Sequence, residues 1–164
     1  WRLYVAHVGD SRCYGLTGGK FEGITEDHSL LNDFRRSLSL TPEEEKNFPH
    51  KNIIVRALGM KSTVEVDLQV LTPGAGDLFL LCSDGLSGEI EDEDMEKLLQ
   101  EEQDVEKACH RLVKTANDNG GRDNVTVILA RFNEGEDFDI HTLTEEVTKE
   151  ITEDISTFAQ ELED

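Results

Sequence analysis

The stretch Asp77-Leu78-Phe79-Leu80-Leu81-Cys82-Ser83-Asp84-Gly85-Leu86 constrains the fold more than any other part of the chain. Its apolar run is short and lies between Pro73-Gly74 and Gly85, so it reads as a buried strand rather than a helix. The run stops abruptly on Ser-Asp-Gly. A carboxylate at the end of a buried strand is costly unless something pairs with it, most often a cation. Gly85 lets the backbone turn sharply and approach a ligand closely. The plainer alternative for Asp84 is a cap on the next helix.

Strand patterns precede this run. Trp1 to Val8 is apolar and β-prone, Gly9-Asp10-Ser11-Arg12 breaks it, and Cys13 to Leu16 resumes. Thr17-Gly18-Gly19-Lys20 predicts a hairpin turn into a strand over Phe21 to Thr25. Asp27 is placed to cap a helix over Ser29 to Leu38 with Leu30, Leu31 and Phe34 inward. Thr41-Pro42-Glu43-Glu44 opens a second helix, with Pro in its first turn. Val64, Val66, Leu68 and Val70 alternate with polar residues, which predicts a half-buried strand.

Helical patterns follow it. Glu91 to Gln100 is acidic at its start, as its own dipole favours. Asp104 caps a helix in which Val105, Ala108, Cys109, Leu112, Val113 and Ala116 recur at threes and fours, and Asn119-Gly120-Gly121 ends it. Val125 to Phe132 is a nearly continuous apolar strand. Residues 1–132 thus form one domain, 133–139 an acidic linker, and 140–164 an amphipathic helix with an acidic outer face. That helix either packs back on the domain or offers a pairing surface.

The 36 acidic against 16 basic residues give a net charge of -20, which argues against nucleic acid or an anionic membrane as partner. Cys13, Cys82 and Cys109 are odd in number and widely spaced, which fits buried thiols in a reducing cytoplasm. No stretch reaches the length of a membrane span, and no signal peptide is visible. The chain begins on Trp1 and enters a strand pattern by Leu3, so it reads as a piece of a longer protein.

Asp10, Asp84 and Asp123 each stand at a strand-turn junction beside a small or turn residue. Carboxylates from separate strands suit hard cations, Mg²⁺ or Mn²⁺, and no Cys/His cluster suggests zinc. Turn or cap hydrogen bonding is the alternative at each position.

Five ordered motifs carry a resemblance. Val-Ala-His-Val-Gly-Asp-Ser-Arg, Ile-Thr-Glu-Asp-His-Ser-Leu, Arg-Ala-Leu-Gly, Leu-Leu-Cys-Ser-Asp-Gly-Leu and Gly-Gly-Arg-Asp-Asn-Val-Thr-Val, running from Leu3 to Phe132, resemble the PP2C (PPM) metal-dependent serine/threonine protein phosphatases of bacterial type. The fold this implies is α+β, a four-layer sandwich of two packed, mainly antiparallel sheets flanked by helices, with the N-terminal part absent. The resemblance makes Asp84 and Asp123 ligands of one ion of a binuclear centre, and Asp10 a ligand, with Asp84, of a weaker third ion. Asn124 takes a supporting role, and Arg12 and Arg122 pair with neighbouring carboxylates. Asp27 and His28 belong to a family motif but suit a structural role at a helix start. The segment from Leu31 to Asn52 corresponds to a flap beside the site.

The implied reaction is hydrolysis of phosphoserine or phosphothreonine in proteins by a metal-bridged hydroxide, with two or three Mn²⁺ or Mg²⁺ ions. Ser83 lacks an adjacent base and is no nucleophile. The family's phosphate-gripping Arg, its acidic residue, its bridging Asp-Gly and its His acid have no counterpart here. This polypeptide alone is therefore expected to be inactive, with open sheet edges that invite a second chain, a homo-oligomer or a domain swap. The reading from another class is a non-catalytic interaction or regulatory module on the same scaffold.

Overall fold

The computed structural model describes residues 2–37, 41, 43–44, 48 and 53–133. The linker from residue 134, the helix expected over 140–164 and half of the flap-like segment lie outside the described residues. Within that segment, Thr41 and Glu44 exchange hydrogen bonds as a capping box: Thr41 N–H and Oγ1 donate to the Glu44 carboxylate, and Glu44 N–H donates to Thr41 Oγ1.

The order of elements is β1 (Leu3–His7), β2 (Arg12–Thr17), β3 (Lys20–Gly23), α1 (Leu30–Ser37), β4 (Asp67–Leu71), β5 (Leu78–Cys82), α2 (Asp84–Ser87), α3 (Asp92–Glu101), α4 (Val105–Asn119) and β6 (Val127–Arg131). The strands form two antiparallel sheets, one of β1 and β4, the other in the order β3-β2-β5-β6. The β2–β3 turn uses Gly18 and Gly19 at φ 57° and 81°, the left-handed pair that a two-residue hairpin needs.

The apolar run of β5 occupies the middle of the larger sheet. Register aligns Tyr14, Leu80 and Leu129 across β2, β5 and β6, and Cys13, Leu81 and Ile128 on the neighbouring rung. Side chains alternate across a strand, so these rungs serve opposite faces. The first face meets the helices. Tyr14, Leu78, Leu80 and Cys82 join Leu86, Ile90, Met95, Leu99, Leu112 and Ala116 in one buried cluster. Leu86, Met95 and Leu112 are fully enclosed. Cutting any of them to Ala would cost about 2–5 kcal/mol. The second face borders a groove of about 350 Å³ shared with Val5, Ala6 and His7 of β1.

The helix ends follow the sequence at α4, where the Asp104 side chain accepts from Lys107 N–H and Gly120 and Gly121 terminate at positive φ. They depart from it at α1. Ser29, not Asp27, is the cap, its hydroxyl accepting from Asn32 N–H. Asn32 is the buried residue of that helix, while Phe34 is exposed. Asn32 reaches inward because its side-chain amide donates to the Asp27 carbonyl.

β4 also departs. It begins at Asp67, and Val66, Leu68 and Val70 are exposed, as is Tyr4, the cross-strand partner of Val70. Among the described residues no helix covers this face, so three of the four expected layers are in view. β6 is shorter than the apolar run that signals it, and Ile128 is 57% exposed on the groove side.

Candidate metal centre

β5 ends at Cys82 and delivers Asp84 through Ser83, whose extended backbone opens α2. Ser83 fastens this end to the loop before β6 three times over. Its N–H donates to the Thr126 carbonyl, its hydroxyl donates to the Asn124 carbonyl, and that hydroxyl accepts from Thr126 N–H, at 3.1, 3.0 and 3.0 Å. The Ser83 oxygen is therefore committed to the backbone, which agrees with its exclusion as a nucleophile. Asp84 is the first residue of α2, and Ser83, the N-cap residue, makes no side-chain capping hydrogen bond.

Gly85 has a different reason from the one the sequence suggests. A Cβ there would lie 2.9 Å from the carbonyl carbon of Asn124 and closer still to its oxygen. The close approach is of backbone to backbone, not of backbone to ligand. It brings the Asp84 turn against the loop that carries Asp123, an exposed residue whose carboxylate accepts from Asn124 N–H at 2.7 Å. A depression of about 450 Å³ lined by Asn117, Gly121, Arg122, Asp123, Asn124 and Val125 opens beside it.

Asp10 enters from the β1–β2 turn, where Gly9 takes φ 112°. Gly9 N–H donates to His28 Nδ1 at 3.1 Å. Accepting there leaves the ring proton on Nε2, which faces Asp67 Oδ2 at 3.1 Å. Asp67 also takes Arg56 Nη1 at 2.6 Å, and its hydrogen bonds from His28 and Arg56 hold its pKa below the ordinary carboxylate value. His28 thus ties the Asp10 turn to β4, a structural role as the sequence suggests. Burial, followed by the charge of Asp84, raises the Asp10 pKa, so the two carboxylates repel one another across the site.

The arginines pair with carboxylates as expected. Arg12 forms a two-pronged bond to Asp27, Nε–Oδ1 2.9 Å and Nη2–Oδ2 2.8 Å, and its Nη1 donates to the Tyr14 hydroxyl. Tyr14 in turn donates to Asp92 at the start of α3. Arg122 pairs with Glu89. Glu89 went unnoticed in the sequence because it is one acid in the run Glu89 to Asp94 and only the fold singles it out. His7 is buried against His28 with ring centroids 4.7 Å apart. Burial first, then His28, lowers its pKa.

Asp10 and Asp84 are therefore electrostatic neighbours, and Asp123 stands on the loop packed against Gly85. The donors are carboxylate oxygens, exposed at Asp84 and Asp123 and partly buried at Asp10, a chemistry that fits Mg²⁺ or Mn²⁺. Among the described residues no three His, Cys, Asp or Glu side chains converge closely enough to enclose an ion. Cys13 and Cys82 take no part. They are buried free thiols, and burial pushes both up to about 11.

Two antiparallel sheets, with helices packed on one of them and carboxylates at strand ends, make an α+β sandwich. No protein-family model matches the chain. The serine/threonine phosphatase Stp of Listeria innocua is 39% identical over 132 residues, 80% of this chain and 52% of the relative. The crystal structure of the Mycobacterium tuberculosis serine/threonine phosphatase PstP/Ppp superposes with a TM-score of 0.75 at 40% identity, covering 81% of this chain and 56% of that one. The catalytic domain of PstP in complex with 2 manganese ions gives a TM-score of 0.71 at 39% identity, over 81% of this chain and 54% of that one. The chain is thus similar, over most of its own length, to bacterial serine/threonine phosphatases. It spans about half the length of the relatives it matches.

Proposed function

We propose that this chain supplies part of the metal centre of a phosphoprotein phosphatase, with Asp10, Asp84 and Asp123 as carboxylate ligands for Mn²⁺ or Mg²⁺. The observation that carries the reading is the packed junction of Gly85 on Asn124, which brings the Asp84 turn and the Asp123 loop together, with Asp10 in electrostatic contact with Asp84. The relatives' names and the manganese-bound neighbour support it. When bound, such ions lower the pKa of a water and screen phosphoryl charge during hydrolysis of phosphoserine or phosphothreonine. The chain's own part is to hold carboxylates at fixed strand ends. Arg12 and Arg122, which stand close to Asp10 and Asp123 in sequence, are spent on Asp27 and Glu89.

Because no three such ligands converge among the described residues, the site is incomplete, and the isolated chain binds metal weakly and turns over little or no substrate. Three free thiols support a cytoplasmic setting. No described helix is long and apolar enough to cross a membrane. The exposed face of Tyr4, Leu68 and Val70 supports association with a further polypeptide or a second copy.

The test is a Mn²⁺ titration followed by electron paramagnetic resonance, with p-nitrophenyl phosphate as substrate. Weak Mn²⁺ binding that disappears in Asp84→Asn is expected, without appreciable turnover. A chain that binds no Mn²⁺ would be a non-catalytic module on the same scaffold. Mn²⁺-dependent turnover by the pure chain, lost in Asp84→Asn, would overturn its reading as an incomplete site.

A further inference from the structure

We infer that Glu89 is a positioning residue for Asp123, clamping the Asp123 loop against the Asp84 turn from the side opposite Ser83; the inference rests on the metal reading above. Ser83 holds the loop after Asp123, through Asn124 and Thr126. Glu89 holds it before Asp123. Its Oε1 accepts from Arg122 Nε at 2.7 Å and from Arg122 N–H at 3.4 Å, and its Oε2 accepts from Arg122 Nη2 at 3.2 Å. The Glu89 carbonyl accepts from Asn119 Nδ2 at 2.8 Å, and the Gly88 carbonyl from Arg122 Nη2 at 3.4 Å.

Exposure says which partner is the anchor. The Glu89 side chain is 5% exposed and that of Arg122 76%, so the arginine folds back onto a carboxylate already fixed in the body of the domain. The loop backbone rests on that carboxylate. Gly120 sits at φ 154°, and a Cβ there would come 3.0 Å from Glu89 Oε2. Arg122 immediately precedes Asp123, so the fork that fixes its N–H and side chain fixes where the next residue begins.

The pairing has a second consequence. Arg122 is the nearest cation in sequence to Asp123, and a free guanidinium there would compete with a metal ion for the carboxylate. Glu89 occupies it. Removing the Arg122 side of the fork would leave the Glu89 side chain, 5% exposed, without its charged donors, so the clamp resists opening.

The experiment uses the full 164-residue chain and two variants. Glu89→Gln keeps the side chain's shape but loses the charge-assisted fork. Arg122→Lys alters the exposed partner, keeping charge but losing the two-pronged geometry, and leaves the interior untouched. Mn²⁺ affinity should fall about tenfold in Glu89→Gln, as for residues that orient a metal ligand, and less in Arg122→Lys. Amide hydrogen exchange should accelerate at Arg122, Asp123 and Asn124 in both while β5 and α4 stay protected, a local signature that general destabilisation would not give. Unchanged Mn²⁺ affinity in both variants, or unchanged exchange at those three amides, overturns the positioning role. A wild-type chain that binds no Mn²⁺ overturns the metal reading instead, and the exchange measurement still decides whether Glu89 holds the loop.

Discussion

Replacing Gly85 by Ala tests the junction on which the site depends. Gly85 lies in α2 and its φ is not left-handed, so the backbone itself accepts Ala. In a helix that change stabilises by roughly 0.5–1 kcal/mol. Here a Cβ would stand 2.9 Å from the Asn124 carbonyl carbon and nearer its oxygen, where ordinary contact begins at 3.4 Å. The obstacle is backbone and cannot rotate away. The two loops must part by roughly half an ångström or more, straining the three Ser83 hydrogen bonds that hold them together. Overpacking of this kind costs about 1–3 kcal/mol, which exceeds the helical gain. A net loss near 1–2 kcal/mol corresponds to a fall of roughly 2–8 °C in Tm for a chain of this size. Differential scanning fluorimetry in EDTA reads that fall, and a Mn²⁺ titration should show an affinity loss of about tenfold from the displaced carboxylates. A Gly85→Ala chain that melts higher than the parent and binds Mn²⁺ as well would refute the reasoning, because it would mean the contact is slack.

Three further outcomes follow from named groups. Asp84→Asn should abolish Mn²⁺ binding yet raise Tm in EDTA at neutral pH. Burial and the Asp84 charge raise the pKa of Asp10, so this group's contribution to stability is fullest below the ordinary 3.8 and is lost as pH rises through the raised value; removing Asp84 returns part of that loss, and at pH values below 3.8 the gain should vanish. His7→Leu should flatten the acid limb of the stability curve. Burial lowers His7 below its ordinary 6.5, so the unfolded chain takes up a proton first as pH falls, and stability present above 6.5 is lost; the drop in Tm from about pH 7.5 to about pH 5.5 should shrink in the variant. Tyr14→Phe should cost about 1 kcal/mol by chemical denaturation, since it strips the buried hydroxyl that links Arg12 to Asp92 while leaving the Arg12–Asp27 fork in place.

What could be read from the sequence was local. The Leu78–Cys82 run, the Gly18-Gly19 hairpin, the Asp104 cap and the Gly120-Gly121 stop depend on neighbours a few residues away, and all four appear where expected. The errors lie where a distant residue decides. Asp27 looks like a cap until Arg12, fifteen residues earlier, claims its carboxylate, and then Ser29 does the capping. Alternation at Val66, Leu68 and Val70 correctly signals a strand face. It carries no information on what covers that face, and among the described residues nothing does.

The site obeys the same division. Each of Asp10, Asp84 and Asp123 is recognisable at a strand end, but the contacts that bring Asp84 and Asp123 together run between residues 33 to 43 positions apart. Ser83 reaches Asn124 and Thr126, Gly85 meets the Asn124 backbone, and Glu89 takes Arg122. Asp84 itself shows why the distinction matters. Judged by its own neighbours it is a capping residue, and at the head of a four-residue helix that reading fits the pattern. The N-cap position belongs to Ser83, and Asp84 is the first residue inside the helix. What matters instead is its charge, which together with burial raises the Asp10 pKa, a repulsion that a bound cation would relieve.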